Sequence, residues 1–283
     1  MYDSVREQFI GFSTEFEGRV SFMYADIKGL VSIGIGNLID PVQLALPLPF
    51  VYKSDQSTSA SQADIQADWQ QIKGDPSLAQ KGWRACDSLT SLMLTDEAIE
   101  NLVLSKLDQF AATLRQTSEF ADLDDWPADA QLGLFSMAWA MGPAFGPGWP
   151  NFRSSCAAHD WRGAADNCHM NDSANPGLRP RNVANRELFL NAAYAVDQGD
   201  DPAVLQYVVS GERPTIRAGA TGGHVDFLQS RLGVLGYATG TGGTFDDATA
   251  GAVVAFQSDH GLTADGIVGA MSWAALGSCV PAS

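Results

Sequence analysis

Residues 127 to 142 read "PADAQLGLFSMAWAMG", and nearly every position between the proline and the glycine is apolar. A helix without a polar face has no side to offer to water, so it must lie in the middle of other helices. The segment therefore demands a bundle around it. Pro127 suits its opening and Gly142 its stop.

Other segments can supply the shell. Over residues 4 to 17, Val5, Phe9, Phe12 and Phe16 recur at spacings of four, three and four, one face of a helical period. Ser4 with Glu7 suits a capping box, and Gly18 a C-terminal stop. Ile65, Trp69 and Ile72 mark a further helix. Another starts near Thr95, with Ile99, Val103, Leu107, Phe110 and Leu114 inward. Between them, "VSFMY" and "LVSIGIG" read as short strands around the turn "ADIKG". Residues 41 to 60 read as loop, with Pro41, Pro47 and Pro49, and "GPAFGPGWP" as a turn-rich link.

Around residues 199 to 215 the texture becomes that of a linker. Beyond it lies a degenerate internal repeat, "FLQSRLGVLGY…GGTFDDATAGAV" echoed by "AFQSDHGLTADGIVGAMSWAAL". Each copy has a glutamine after an apolar pair, then a glycine-led turn, then a helix opening at Thr249 or Ser272. Val225, Leu228, Leu232 and Leu235 form a helical stripe. These features predict a small second domain built from a duplicated unit.

The 283 residues suffice for one large domain or two. A formal net charge of −16 opposes nucleic-acid binding, which needs clustered Lys and Arg. It also gives no attraction to an anionic membrane or wall polymer, so such a partner must be held by shape and hydrogen bonds. The N-terminus lacks the basic and apolar regions of a signal peptide, and no apolar run is long enough to span a membrane. Cys86, Cys156, Cys168 and Cys279 allow two disulfides in three pairings. Cys156 and Cys168 flank a turn between helices and suit either a bridge or buried free thiols. With His169 they offer a zinc set, without the spacing of a CxxC or HxxxH motif.

The stretch "EFEGRVSFMYADIKGLVSIGIGN" (15 to 37) carries the chemistry. Glu17 precedes a glycine, Asp26 follows nine positions later, and Ser32 six further on. Glycoside cleavage needs a protonated acid at the leaving oxygen and a second carboxylate for water or the sugar cation. Glu17, last in its helix, faces the negative end of the helix dipole, which disfavours its charged form. Asp26, in a solvated turn, ionises more easily. Such unlike environments divide acid from base. The same residues also fit a plain helix end and a polar hairpin.

The pattern "FEG…Y.D..G..SIGIGN" resembles the catalytic signature of the bacteriophage-type lysozymes, muramidases that hydrolyse the MurNAc–GlcNAc β-1,4 bond of peptidoglycan. The resemblance runs through "LGLFSMAWAMG…GPGWPNF" to "LRPRNVANRELFL", over residues 4 to 195. It implies Glu17 as general acid, Asp26 as the carboxylate that orients or activates water, and Ser32 as the hydroxyl that helps hold that water. The family usually has Thr there; Ser keeps the oxygen but loses the methyl that fixes the rotamer. It further implies Arg181 as partner of the catalytic Glu, and Leu38, Trp139 and Asn167 along the sugar cleft. Trp139 replaces a usual Phe. Phage lysozymes are often basic, and this chain is acidic. The stretch at 41 to 60 resembles lysozyme-like effector domains of bacterial toxins.

Residues 216 to 277, with "IRAGATGGHVDFLQSRLGVLGY", "GGTFDDATAGAVVAFQSDHGL" and "ADGIVGAMSW", resemble the peptidoglycan-binding domains fused to wall hydrolases. Gly243, Gly266 and Gly269 are expected to supply turns, and Phe245, Phe256 and Trp273 core.

The expected fold is α+β: a mostly helical lysozyme-like domain with a small hairpin sheet (1–208), then a linker and a small all-α peptidoglycan-binding domain (209–283). The expected activity is an inverting muramidase that lyses bacterial walls, with no cofactor and no metal. The alternatives are a lytic transglycosylase acting on the same bond and a catalytically inactive wall-binding protein. Peptidoglycan is the expected partner of a monomer that neither binds nucleic acid nor inserts into a membrane. The chain would be made in the cytoplasm without a signal peptide and act on the wall. A holin would release it as a phage endolysin, or a secretion machine would deliver it as an effector toxin with an immunity protein.

Overall fold

The computed structural model of the protein describes residues 1–145, 148–173, 175–207 and 214–278. Helix dominates among them, and strand is confined to short segments, an α+β and mostly helical fold. Backbone contacts divide the chain into two compact units, Ile10–Gln109, and Met1–Phe9 with Phe110–Ser283.

The chain opens with α1 (Asp3–Glu17), in which Val5, Phe9 and Phe12 are fully buried, as their spacing requires. The capping box expected at Ser4 does not form. The helix already begins at Asp3, and the Ser4 hydroxyl donates to the carbonyl of Ala203 at 2.7 Å. A tertiary acceptor has displaced the local one. Gly18 takes a left-handed φ of +69° and donates its N–H to Thr14 O, closing the helix at Glu17.

In the unit Ile10–Gln109, β1 (Val20–Ala25), β2 (Val31–Gly34) and β3 (Asn37–Leu38) form an antiparallel sheet in that order. Tyr24 pairs with Ser32, which pairs on its other side with Leu38. Directly opposed residues share a face, so Tyr24, Ser32 and Leu38 form one row across the sheet. The segment 41 to 60 is not all loop: β4 (Val51–Tyr52) pairs antiparallel with β5 (Leu92–Met93). Between these strands lie α2 (Gln62–Lys73) and the short α3 (Leu78–Lys81). Ser61 caps α2 by accepting the Asp64 N–H at 3.2 Å, Ile65 and Ile72 are buried, and Trp69 Nε1 donates to Ile39 O at 2.9 Å. In α4 (Asp96–Leu114), Ile99, Val103, Leu107 and Leu114 are buried, as the period predicts.

In the other unit, α5 (Ala128–Met141) is buried at every residue from Ala128 to Trp139. It is followed by α6 (Pro150–Ala157), α7 (Trp161–Asn167) and α8 (Leu178–Gln198). Helices α5 and α8 approach so closely at Gly133 that a Cβ there would lie 3.0 Å from the Phe189 ring. Phe120, Phe145, Phe152 and Phe189 form an edge-to-face and stacked aromatic core. Cys156 and Cys168 are buried free thiols, as is Cys86 of the other unit. Burial pushes the Cys156 thiol well up and that of Cys168 to about 12, so both stay protonated and inert. Cys279 lies outside the described residues. The His169 side chain is largely exposed, with Asp172 at 3.9 Å.

The segment expected as a linker is tied down over its first part. Gly199 ends α8 in the left-handed region. Pro202 O accepts the Ala128 N–H at 2.7 Å, and the N–H groups of Gln206 and Tyr207 reach the Asp129 carboxylate at 2.7 and 2.9 Å. Residues 208–213 lie outside the described residues.

The C-terminal module comprises α9 (Gly223–Val234), α10 (Asp247–Asp259) and α11 (Ala270–Ser278). Its core holds Val225, Leu228, Leu232, Phe245, Phe256 and Trp273, with Leu235 and Val183 of α8 packed against it. The repeat is visible as two glutamine clamps. Gln229 Nε2 donates to Thr244 O and Thr249 Oγ1 while its Oε1 accepts the Gly243 N–H. Gln257 Nε2 donates to Asp265 Oδ1, Ile267 O and Ser272 Oγ while its Oε1 accepts the Gly266 N–H. Gly243 and Gly266 adopt φ of +65° and +72° in these turns. Gly269 gives its carbonyl to the Trp273 N–H at the start of α11.

Candidate functional site

Glu17, Asp26, Ser32 and Leu38 all belong to the unit Ile10–Gln109. Glu17 is the last residue of α1, and its side chain is exposed. It leans on the turn between β2 and β3, where a Cβ built on Gly36 would lie 3.1 Å from Glu17 Oε2. Gly36 has φ +68°, so the position asks for glycine twice, by conformation and by proximity.

Asp26 directly follows β1 and organises the hairpin turn. Its Oδ1 accepts the N–H of Lys28 at 2.8 Å and of Leu30 at 2.9 Å, and its backbone N–H donates to Leu30 O. That fixes one carboxylate oxygen as part of the turn. The other makes no hydrogen bond among the described residues and remains available to a water. Ser32 sits in the middle strand between Tyr24 and Leu38. It is 5 % exposed, and its hydroxyl makes no hydrogen bond among the described residues. Leu38 is 45 % exposed on the outer strand, an apolar surface beside that hydroxyl.

Two further side chains join this group, and neither was singled out by the sequence reading. Tyr24, two residues before Asp26, stands in the row with Ser32. Burial, then the carboxylates of Glu17 and Asp26, push its phenol up to about 12, so it stays a protonated hydrogen-bond donor near both. Lys106 lies seven residues after Ile99, whose methyl lies 3.3 Å from a Cβ built on Gly34. Burial pushes the Lys106 ammonium down and the Glu17 carboxylate pulls it back up. A lysine beside the inward stripe of α4 is the signal that marks it, because a fully solvated face would hold it elsewhere. The cluster thus holds a carboxylate with a neighbouring cation, a second carboxylate with one free oxygen, a hydroxyl and a phenol. Such a group can protonate a leaving oxygen and hold a water.

The remaining expected residues lie in the other unit. Trp139 is 8 % exposed and packs edge-to-face against Phe9 and Phe110 at 5.2 and 5.9 Å, a core position. The Asn167 side chain bonds back to Gly163 O at 2.8 Å in its own helix. Arg181 is 1 % exposed on α8, with Nη1 donating to Ser136 O at 3.1 Å and in range of Ser136 Oγ at 3.5 Å. Among the described residues no three His, Cys, Asp or Glu side chains gather as a metal site requires.

No curated protein matches the chain. Residues 221–276 match the family model described as "Putative peptidoglycan binding domain". This match supports the C-terminal module as a peptidoglycan-binding domain, with peptidoglycan as its partner and a function related to the cell wall.

Proposed function

We propose that the chain is a muramidase that hydrolyses the β-1,4 bond between MurNAc and GlcNAc and so lyses bacterial walls. Glu17 is the general acid that protonates the leaving oxygen. The Ser32 hydroxyl helps hold the water that attacks the anomeric carbon from the opposite face, and Asp26, through its uncommitted oxygen, takes that water's proton as the bond to the leaving oxygen breaks. A single displacement of this kind inverts the configuration. Lys106 and Tyr24 position the Glu17 carboxylate, one by charge and one as a nearby donor. No metal or organic cofactor takes part in this scheme.

The observation that carries this reading is the gathering of Glu17 at the end of α1, Asp26 in the β1–β2 turn and Ser32 in β2, with Glu17 against Gly36 of the β2–β3 turn. The peptidoglycan-binding domain supports it from another side. A module that holds the wall raises the effective concentration of a hydrolytic site linked to it. This also accounts for how a chain of net charge −16 reaches an anionic polymer. No helix among the described residues is long and apolar enough to cross a membrane. In this reading the chain acts at the wall, released by a holin as an endolysin or delivered by a secretion system as a toxin.

The test is mass spectrometry of products from purified sacculi, with Glu17→Gln beside the unaltered chain. Reducing MurNAc ends from the unaltered chain alone are expected. Anhydro-MurNAc ends would make it a lytic transglycosylase and remove the roles of Asp26 and Ser32. Sacculi bound but uncut by both proteins would leave a wall-binding protein without this activity.

A further inference from the structure

The peptidoglycan-binding domain offers two kinds of chemistry to bind, a glycan strand and its peptide stems. Sugar rings rest on flat aromatic faces, and here these faces are turned inward. Phe227, Phe245, Phe256 and Trp273 are 1 to 6 % exposed, and the partly buried Tyr237 spends its hydroxyl on Asp259 at 3.0 Å. Among the described residues the module presents no open aromatic platform.

What it presents instead is a groove beside α10. An isolated antiparallel bridge joins Ile216 to Val268, with N···O distances of 3.1 and 2.9 Å, and so sets Arg217 beside Ile267. Two residues before Ile267 stands Asp265, whose Oδ1 is held by the Ile267 N–H at 2.9 Å and by Gln257 Nε2 at 3.1 Å. Arg217 and Asp265 line an open groove of about 490 Å³ whose floor is Ala250, Val254 and Ile267. It continues past Asp265 and Ile267 into a second hollow of about 420 Å³ that includes Met271. Val254, 39 % exposed, and Met271, 73 % exposed, leave apolar surface open to these hollows. Both charged residues are exposed, and neither forms an ion pair among the described residues. An unpaired cation and an unpaired carboxylate on an apolar floor match a short peptide that carries a carboxylate and an ammonium separated by small apolar side chains.

We infer that this groove binds the peptide stems of peptidoglycan rather than its glycan strand. Arg217 receives a carboxylate, the free oxygen of Asp265 the ammonium of the diamino acid, and alanine methyl groups rest on Val254 and Ile267. The inference rests on the wall-binding assignment of residues 221–276 and is independent of the hydrolytic site.

The test uses the full chain with two soluble probes, a synthetic L-Ala–D-Glu–meso-diaminopimelyl–D-Ala tetrapeptide and peptide-free GlcNAc–MurNAc oligosaccharides, followed by amide chemical shifts. The tetrapeptide should shift resonances at Arg217, Val254 and Ile267. Arg217→Glu should weaken its binding by about tenfold, the effect of losing one charge-assisted hydrogen bond. Val254→Asp, on an exposed helix face, should weaken it as well without disturbing the fold. Binding of the oligosaccharide alone, or tetrapeptide affinity unchanged in both variants, would overturn the inference. Sedimentation with whole sacculi separates the two levels of failure. Sacculi bound by a chain that ignores the tetrapeptide would remove the groove and keep wall binding, whereas unbound sacculi would remove both.

Discussion

The carboxylate of Asp129 accepts the backbone N–H of Tyr207 at 2.9 Å, across 78 positions of sequence. It also accepts the Gln206 N–H at 2.7 Å and Asn191 Nδ2 at 3.1 Å. An acidic side chain in the first turn of the buried helix α5 thereby anchors the chain as it leaves α8. Burial pushes the Asp129 carboxyl up to about 7; the three hydrogen bonds oppose that, and nearby Glu187 adds to it.

The sign of the resulting pH dependence follows from linkage. A carboxyl that is harder to ionise when folded stabilises the fold fully below its ordinary value of 3.8, and this contribution is lost as pH rises through about 7. Asp55 and Glu119 run the other way. Hydrogen bonds from Thr58 and Ser118, respectively, contribute most to holding them at about 2, so their contribution is present above the ordinary carboxylate range and is lost as pH falls through about 2. The windows do not overlap. Between pH 5 and 7 the unfolding free energy from urea titration should therefore fall by up to about 1.4 kcal/mol per pH unit, and the urea midpoint with it. Asp129→Asn should flatten that slope and cost roughly 1–3 kcal/mol at pH 5, because the amide nitrogen that replaces one oxygen accepts no hydrogen bond and leaves either the Gln206 or the Tyr207 N–H without an acceptor. A midpoint that rises over this range in the unaltered chain would contradict the assignment.

Gly36→Ala tests the contact between the β2–β3 turn and Glu17. The φ of +68° costs an alanine roughly 1 kcal/mol, a modest loss of stability. The new methyl would lie 3.1 Å from Glu17 Oε2 and push the carboxylate aside. Displacement of an acid by a fraction of an ångström is expensive in rate. Turnover of sacculi should drop by about tenfold or more while the melting temperature moves by only a few degrees. Full activity in a folded Gly36→Ala protein would remove Glu17 from the proposed chemistry or this turn from its support.

How far the sequence announces this arrangement depends on the range of the interaction. The stripe Val5, Phe9, Phe12 and the stripe Ile99, Val103, Leu107 are legible because burial repeats at the helical period. Asp26 is legible because an aspartate followed by a glycine three residues on makes its own turn. The pairing of Gln229 with Gln257 shows because the module repeats itself. Asp129 is hidden because one polar residue does not disturb an apolar average, and its partners are backbone groups with no sequence signature. The β4–β5 pair, two residues a side, is too short to show alternation. Ser4 suits a cap in sequence and serves as a long-range donor in the fold, because the two look alike in sequence. Trp139 and Asn167 have the right residue types for a cleft, and only packing places the first in a core and the second on its own helix.

Tyr24→Phe separates a donor from a wall of the site. The ring packs as before, so stability should change by less than about 1 kcal/mol. The phenol, held at about 12 by burial and the two carboxylates, is lost. Turnover should drop by about tenfold, the scale of one hydrogen bond to a charged group. Unchanged turnover would make Tyr24 a packing residue only.

The two glutamine clamps differ in what surrounds their amide nitrogens, and this difference predicts unequal responses to the same substitution. Replacing either glutamine by leucine abandons the buried N–H of a glycine and at least two acceptors, and should cost about 3 kcal/mol. Replacement by glutamate is the sharper probe. At Gln229 one carboxylate oxygen would meet the Thr249 hydroxyl, which can turn and donate only by giving up Asp246 Oδ1 at 2.7 Å, but no carboxylate stands in direct contact with the amide nitrogen there. At Gln257 it would face Asp265 Oδ1, now 3.1 Å from the amide nitrogen, and two like charges would meet. Gln257→Glu should therefore destabilise the module more than Gln229→Glu at pH 7, with the gap narrowing below the carboxylate range as one of the pair protonates. Thermal unfolding of the full chain at pH 7 and pH 4 measures both. If the two glutamates cost the same at both values, the repeat units are equivalent in energy as well as in form, and Asp265 is not the pole that makes the second copy distinct.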